Sequence, residues 1–286
     1  MSWSIVLVTD STASLPPEQV AEHGIVVVPL QVVIGARCYD EGGEEATAGT
    51  VAEALREWKP VSTSRPTPSA MLEAYESAAA AGADEIVSIH LSAELSGTYE
   101  SAQLAAKESP VPVVTVDSQQ LGMATGFAVL TAAEVLARGG SAEEAAEAAR
   151  TRATGTTSLF YVDTLEYLRR GGRIGAAAAL LGSALSVKPL LKLEEGRIAT
   201  LEKVRTSARA LSRLEELAVQ AADAGPVDLA VAHLASPDRA EQLAERLRDR
   251  LAGNLEGRDV VVGEVGAVIG AHVGPGMVAV VVSPRP

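Results

Sequence analysis

Small hydroxyl residues and glycines gather at a few tight places in this 286-residue chain, and they are of the kind that hold an anion. Leu95-Ser96-Gly97-Thr98 carries the most chemistry. Gly97 lets a ligand approach the backbone closely, and a helix starting there would offer unsatisfied N–H groups at its positive end. The Ser96 and Thr98 hydroxyls donate to an anion without adding charge of their own. That suits a carboxylate or phosphate held partly out of water. Asp10-Ser11-Thr12, Thr63-Ser64 and Asp117-Ser118 have the same character. Taken singly, such residues often do no more than cap helices. His272 precedes Val-Gly-Pro-Gly, a rigid turn able to aim its ring or to be held by it, whereas His23, His90 and His233 read as packed or surface residues.

The elements around these residues place most of them on one edge. Ile5–Val8, Ile25–Val28, Ile86–Leu91 and Val113–Val116 read as buried strands separated by helices. The helix starts are Thr50 with Glu53, Thr67 with Pro68, and Ser141 with Glu144, and Gly82 marks a stop. This alternation implies a mostly parallel sheet covered on both faces, whose ligands bind beyond the carboxyl ends of the strands. Asp10, Ser96 and Asp117 each follow a strand there, and Thr63-Ser64 is expected in a loop before the helix from Pro68. The later half has α+β order: a strand at Leu159–Val162, helical segments through Leu168 and again from Gly175, and a hairpin of Leu190–Leu193 with Arg197–Leu201. Then come a helix from Thr206 to Ala224, a strand at Leu229–His233 and a charged helix from Ser236-Pro237 to Gly253. Strands at Val260–Val265, Ala267–Ile269 and Met277–Val282 are expected to finish the chain. The fold class is α/β in two domains, residues 1–155 and 156–286, divided near Thr154–Thr157.

Composition narrows the function classes. Twenty-four basic against 37 acidic residues give a net charge of −13, which opposes nucleic-acid binding and association with anionic bilayers. Aromatic residues make up 3% and apolar residues 47%, so aliphatic side chains and alanine must fill the core and line any apolar cavity. Cys38 is the single cysteine, the first ten residues lack a signal-peptide pattern, and the apolar run Ile174–Val187 is short for the roughly 20 residues of a membrane span. A cytoplasmic protein is expected. Paired-cysteine or His-x-x-x-His metal spacing, a Walker loop and a dinucleotide fingerprint are all missing, so neither metal nor nucleotide cofactor is expected. Ser96 and His272 could serve a hydrolase, but Ser96 lacks the Gly-x-Ser-x-Gly elbow. The Ile174–Val187 run reads equally as a small-residue packing helix or as the wall of an apolar tunnel.

Six motifs in order resemble the DegV family over nearly the whole chain. They are Asp10-Ser11-Thr12-Ala13-Ser14-Leu15-Pro16, Thr63-Ser64-Arg65-Pro66-Thr67-Pro68, Leu95-Ser96-Gly97-Thr98-Tyr99-Glu100-Ser101-Ala102, Val116-Asp117-Ser118, Tyr167-Leu168-Arg169-Arg170-Gly171-Gly172-Arg173-Ile174 and Gly270-Ala271-His272-Val273-Gly274-Pro275-Gly276. The resemblance implies a two-domain DegV-like fold that holds one fatty acid in a tunnel between its domains and is not an enzyme. Thr63 and Ser96 would bond the carboxyl group, with the backbone at Gly97 assisting, Thr98 beside it and His272 close by. In the FakB-type branch the carboxylate is offered to a separate dihydroxyacetone-kinase-like fatty acid kinase, and the acyl phosphate feeds phospholipid synthesis. Arg173 and Arg205 would serve that exchange. They belong to a local basic concentration with Arg169, Arg170, Arg197 and Lys203 that is notable on so acidic a chain. Arg65 stands where the family carries glutamine, and His90 with Ser92-Ala93-Glu94 departs from its usual lead-in to the Leu-Ser-Gly motif. Binding of another small anion is the alternative to a fatty acid.

Overall fold

The computed structural model describes residues 4–180, 188–222 and 225–285. The chain divides into two compact units, Met1–Gln31 with Ser64–Thr154, and Val32–Thr63 with Gly155–Pro286.

In the first unit, strands Val26–Val28, Ile5–Asp10, Glu85–His90 and Val113–Asp117 lie side by side in that order, all parallel. Successive side chains alternate between the two faces, as the strand period requires. Leu7, Val87, Ile89 and Val116 pack with the helices Met123–Ala137 and Ala142–Gly155, while Val8, Val28 and Ile86 pack with Pro68–Ala80 and Thr98–Ala106. Alanine supplies much of the first layer, with Ala128, Ala132, Ala145, Ala146, Ala149 and Ala153 buried, so the scarcity of aromatics is met by close approach of helices. Parallel order brings the ends of Ile5–Asp10, Glu85–His90 and Val113–Asp117 to one edge. The turns carrying Asp10-Ser11-Thr12, Ser96-Gly97-Thr98 and Asp117-Ser118 all leave from it.

The helix starts follow local chemistry. Thr67 Oγ1 accepts from Ala70 N at 3.1 Å, and Ser141 and Glu144 cap each other reciprocally at 3.2 and 2.8 Å. Gly82, at φ +102°, turns the chain after Pro68–Ala80. Thr50 and Glu53 do not form the expected pair. The helix Ala48–Arg56 starts at Thr47, whose hydroxyl accepts from Thr50 N at 3.1 Å, and the Thr50 hydroxyl takes the return bond from Thr47 N at 2.9 Å.

The second unit holds a six-stranded sheet in the order Arg197–Val204, Lys188–Glu194, Thr157–Tyr161, Val278–Pro284, Val227–His233, Val261–Glu264. Its pairs are antiparallel except the last, which is parallel. The amphipathic helices Ser207–Ala221 and Pro237–Arg250 cover one face through Ala210, Leu214, Leu243 and Leu247. Ser236 precedes the second of these without making a side-chain cap bond. Among the described residues no helix is long and apolar enough to cross a membrane.

Two expectations change here. Val32–Thr63 groups with the second unit rather than with residues 1–155. Its strands Gln31–Ile34, Arg37–Asp40 and Val61–Ser64, unanticipated in the sequence, form a separate three-stranded sheet, and Ala48–Arg56 packs on the helix Ala267–Val273. Ala267–Ile269 is the start of that helix and not a strand. A three-residue apolar run cannot distinguish the two by periodicity. The helix is secured by a long-range cap, with Val268 N donating to Glu41 Oε1 at 2.8 Å across 227 residues of sequence. Finally, Gly175–Leu180 forms a short 3₁₀ helix, and the rest of the Ile174–Val187 run, residues 181–187, lies outside the described residues, as do the last two positions of the expected Thr206–Ala224 helix.

Candidate functional site

On the first unit, the turn after Glu85–His90 is built by bonds within itself and to the end of the neighbouring strand. Ser92 N donates to Gln120 O at 2.9 Å, and Leu95 N and Ser96 N both donate to Ser92 O at 3.1 Å. Ala93 N reaches Asp117 Oδ1 at 3.1 Å, tying the turn to the neighbouring strand end. Within the turn, the Ser96 and Thr98 hydroxyls are 2.9 Å apart, and Thr98 N donates to Ser96 Oγ at 3.3 Å. Thr98 is buried, while Ser96 and Gly97 are half-buried. Gly97 is the cap residue of Thr98–Ala106 and has no side chain to satisfy the first-turn amides; the Thr98 amide is taken by Ser96 Oγ, and the rest of that helix start is open to an acceptor.

Arg65 adds a cation to this turn. Its Nη1 donates to Gly97 O at 2.9 Å and to Glu100 Oε2 at 2.6 Å. A Cβ at residue 97 would lie 2.0 Å from that nitrogen, so glycine is what admits the guanidinium. The Glu100 carboxylate balances the charge that the arginine introduces.

On the second unit, Thr63 lies on the strand Val61–Ser64, not in a loop, and its Oγ1 is 2.8 Å from His272 Nε2. Burial pushes the His272 imidazole down to about 4, and the nearby Arg173 guanidinium adds to that shift, so the ring is neutral at pH 7. His272 Nδ1 is buried without a hydrogen-bond partner among the described residues. Gly171 presses against it, since a Cβ there would meet Nδ1 at 2.1 Å. Arg173 Nη1 donates to Gly171 O at 2.5 Å, which fixes the guanidinium beside the ring.

The basic concentration is partly neutralised. Arg169 and Arg170 both bond Glu166, at 2.7 and 2.8 Å, and hold that carboxyl down to about 2. Arg170 also stacks over the exposed Trp58 ring at 4.7 Å. Arg205 is exposed just beyond the strand Arg197–Val204. Among the described residues no cluster of three or more His, Cys, Asp or Glu could hold a metal ion.

One arrangement was not legible as chemistry in the sequence. His90, expected from the sequence to be a packed or surface residue, sits on the first unit in a fully buried chain with Tyr75, Ser88 and Asp10. Tyr75 donates to Ser88 Oγ at 2.8 Å, Ser88 Oγ is 2.7 Å from His90 Nε2, and His90 Nδ1 is 3.0 Å from Asp10 Oδ2. The order Asp–His–Ser is that of a nucleophilic triad. A reactant must reach the serine, however, and Ser88 is fully buried and bonded on both sides. Ser96 and His272 serve hydroxyl partners too: Ser96 bonds Thr98, and His272 bonds Thr63. The accessible groups are hydrogen-bond donors suited to holding an anion.

The model of the DegV family matches residues 4–285. The chain belongs to the DegV family. A DegV domain-containing protein of Streptomyces coelicolor is 58% identical over the full length of both chains. Among solved structures, a DegV family protein from Thermus thermophilus, described for fatty acid binding, is 34% identical with a TM-score of 0.89 over 99% of this chain and 100% of its own. DegV from Bacillus subtilis, described as a fatty acid binding protein, is 33% identical with a TM-score of 0.90 over the same shares. The two-domain α/β architecture is therefore that of DegV proteins.

Proposed function

We propose that this DegV chain binds one long-chain fatty acid and acts as a carrier rather than a catalyst, without a cofactor. The observation that carries this reading is the Ser96–Thr98 turn, a half-buried set of hydroxyls and uncapped amides on a chain about one-third identical to fatty-acid-binding relatives. Ser96, Gly97 and Thr98 are assigned to the carboxyl group, as is Thr63 with His272 behind it. A neutral His272 can donate Nε2–H to Thr63 Oγ1, which leaves the threonine proton for the ligand. Each bond to a charged carboxylate contributes about 1.5–3 kcal/mol, whereas each buried methylene contributes ~0.8 kcal/mol. The tail thus supplies most of the affinity, and the donors set its direction.

The finer reading is that the carboxylate is offered in the cytoplasm to a dihydroxyacetone-kinase-like fatty acid kinase, which makes an acyl phosphate for phospholipid synthesis. Arg173 and Arg205 are assigned to that exchange. A guanidinium pairs with carboxylate or phosphate in two-point geometry, and Arg205 is exposed at a strand end. With ATP and the cognate kinase, Arg173→Glu combined with Arg205→Glu is expected to abolish acyl-phosphate formation while fatty-acid occupancy persists. Loss of lipid together with transfer would assign these arginines to the fold or binding site and overturn the docking role.

A further inference from the structure

The buried chain ending on Asp10 lies next to the anion turn. Asp10 is fully buried, and its carboxylate collects four donors. Oδ1 accepts from Thr12 N at 3.1 Å and Thr12 Oγ1 at 2.5 Å, and Oδ2 from His90 Nδ1 at 3.0 Å and Leu91 N at 3.1 Å. One side chain therefore braces two of the turns that leave the carboxyl edge, that of Ser11–Ala13 and that of Ser92–Thr98. Leu91 N is the last amide before Ser92, whose carbonyl receives Leu95 N and Ser96 N.

The direction of the protons follows from donor inventory. A carboxylate only accepts, so His90 donates from Nδ1; its Nε2 then accepts from Ser88, whose oxygen accepts from Tyr75. Burial pushes the Tyr75 phenol up to about 12, so the chain begins on a group that keeps its proton. Every link has one polarity, and His90 is held in one ring orientation from both sides. A buried anion short of a donor turns toward whatever donors remain, so His90 decides where Oδ2 points and hence where Leu91 N is held.

We propose that His90 is a positioning residue for anion recognition: by orienting the Asp10 carboxylate it fixes the Leu91 amide, and with it the turn that presents Ser96, Gly97 and Thr98 to the ligand. The inference rests on the reading of that turn as the carboxyl site. It gives physical content to a histidine that otherwise reads as a packed residue.

The test compares His90→Leu, which removes the donor to Asp10, with His90→Asn, whose amide nitrogen overlays Nδ1 and restores it. Delipidated full-length proteins are titrated with palmitate and with hexadecanol, which shares the tail but lacks the anion. Amide hydrogen exchange at Leu91 and Ser96 is followed without ligand. His90→Leu is expected to weaken palmitate about tenfold, the scale of one hydrogen bond, to leave hexadecanol unchanged, and to speed exchange at both amides. His90→Asn is expected to behave as the wild type in all three. If His90→Leu does not accumulate as folded protein, His90→Val takes its place. Unchanged exchange in the donor-free variant, identical behaviour of the two variants, or equal weakening of acid and alcohol would each overturn the positioning role. Should the wild type prefer the alcohol or bind neither probe, the carboxyl-site reading fails, and the role in anion recognition falls with it. The exchange comparison still decides whether His90 holds the turn.

Discussion

The turn at Ser96–Thr98 and the pair Thr63–His272 present hydroxyl groups by opposite means. The turn is largely a local device: the bonds among Ser92, Leu95, Ser96 and Thr98 span two to four residues, it is half-exposed, and its donors are backed by a helix start. The pair is a burial device, in which a histidine 209 residues away supports one threonine, and desolvation keeps that histidine neutral. Such a turn keeps its inner bonds when distant elements shift, and it leans on the rest of the first unit only where Asp10, Asp117 and Gln120 anchor its beginning. A burial device depends on every element that keeps water out, here Gly171 and the helix Ala267–Val273.

The sharpest way to break this comparison is to remove both hydroxyls. Thr63→Ala with Ser96→Ala is expected to weaken palmitate binding roughly a hundredfold or more, with residual affinity from the tail. Isothermal titration of the two singles and the double shows whether the losses add. An unchanged affinity in the double would place the carboxyl group elsewhere.

A smaller effect probes the burial device alone. Gly171→Ala meets no backbone strain, since residue 171 has φ −72°, but its methyl would intrude on His272 Nδ1. The ring must shift and lose its bond to Thr63, so palmitate affinity is expected to fall about tenfold while the Ser96–Thr98 amides keep their NMR shifts. Shift changes in that turn with no loss of affinity would contradict the division of labour.

The last effect is on stability rather than on affinity. The His272 imidazole lies near 4 in the folded chain against an ordinary 6.5. Between those values the unfolded chain binds a proton that the native ring excludes, so stability falls as pH drops from about 6.5 to about 4 and levels off below. This one residue accounts for at most about 3 kcal/mol of that loss. His272→Gln is expected to flatten the slope of urea-unfolding free energy in this window. The hydroxyls and amides of the Ser96–Thr98 turn do not titrate there, so Ser96→Ala should leave the slope as it was. A wild-type slope in His272→Gln would show that burial of the ring does not set its protonation.

The same contrast explains what the amino-acid sequence revealed. Strand alternation in the first unit, the caps at Thr67 and Ser141, and the contiguous Leu-Ser-Gly-Thr motif depend on neighbours in the chain, and all were legible there. Residues 31–64 were not, because short strands with mixed polarity find their partners only through the three-stranded sheet. The helix at Ala267 was misread because its cap is Glu41, far away in sequence. Thr63 and His272 stand out by residue type and take their roles from family resemblance, but their direct bond follows from no local pattern. His90 had a signal, as a histidine breaking an apolar strand, yet only register could reveal Asp10 and Ser88 beside it.

Mass spectrometry of a solvent extract from the purified, denatured protein tests the central claim most directly. The expected result is one fatty acid per chain, carried through purification and restored after delipidation by incubation with palmitate. A protein that yields no lipid and takes up none after incubation with long-chain acids would contradict the account, and a bound phosphosugar in its place would assign the Ser96–Thr98 turn to a different anion.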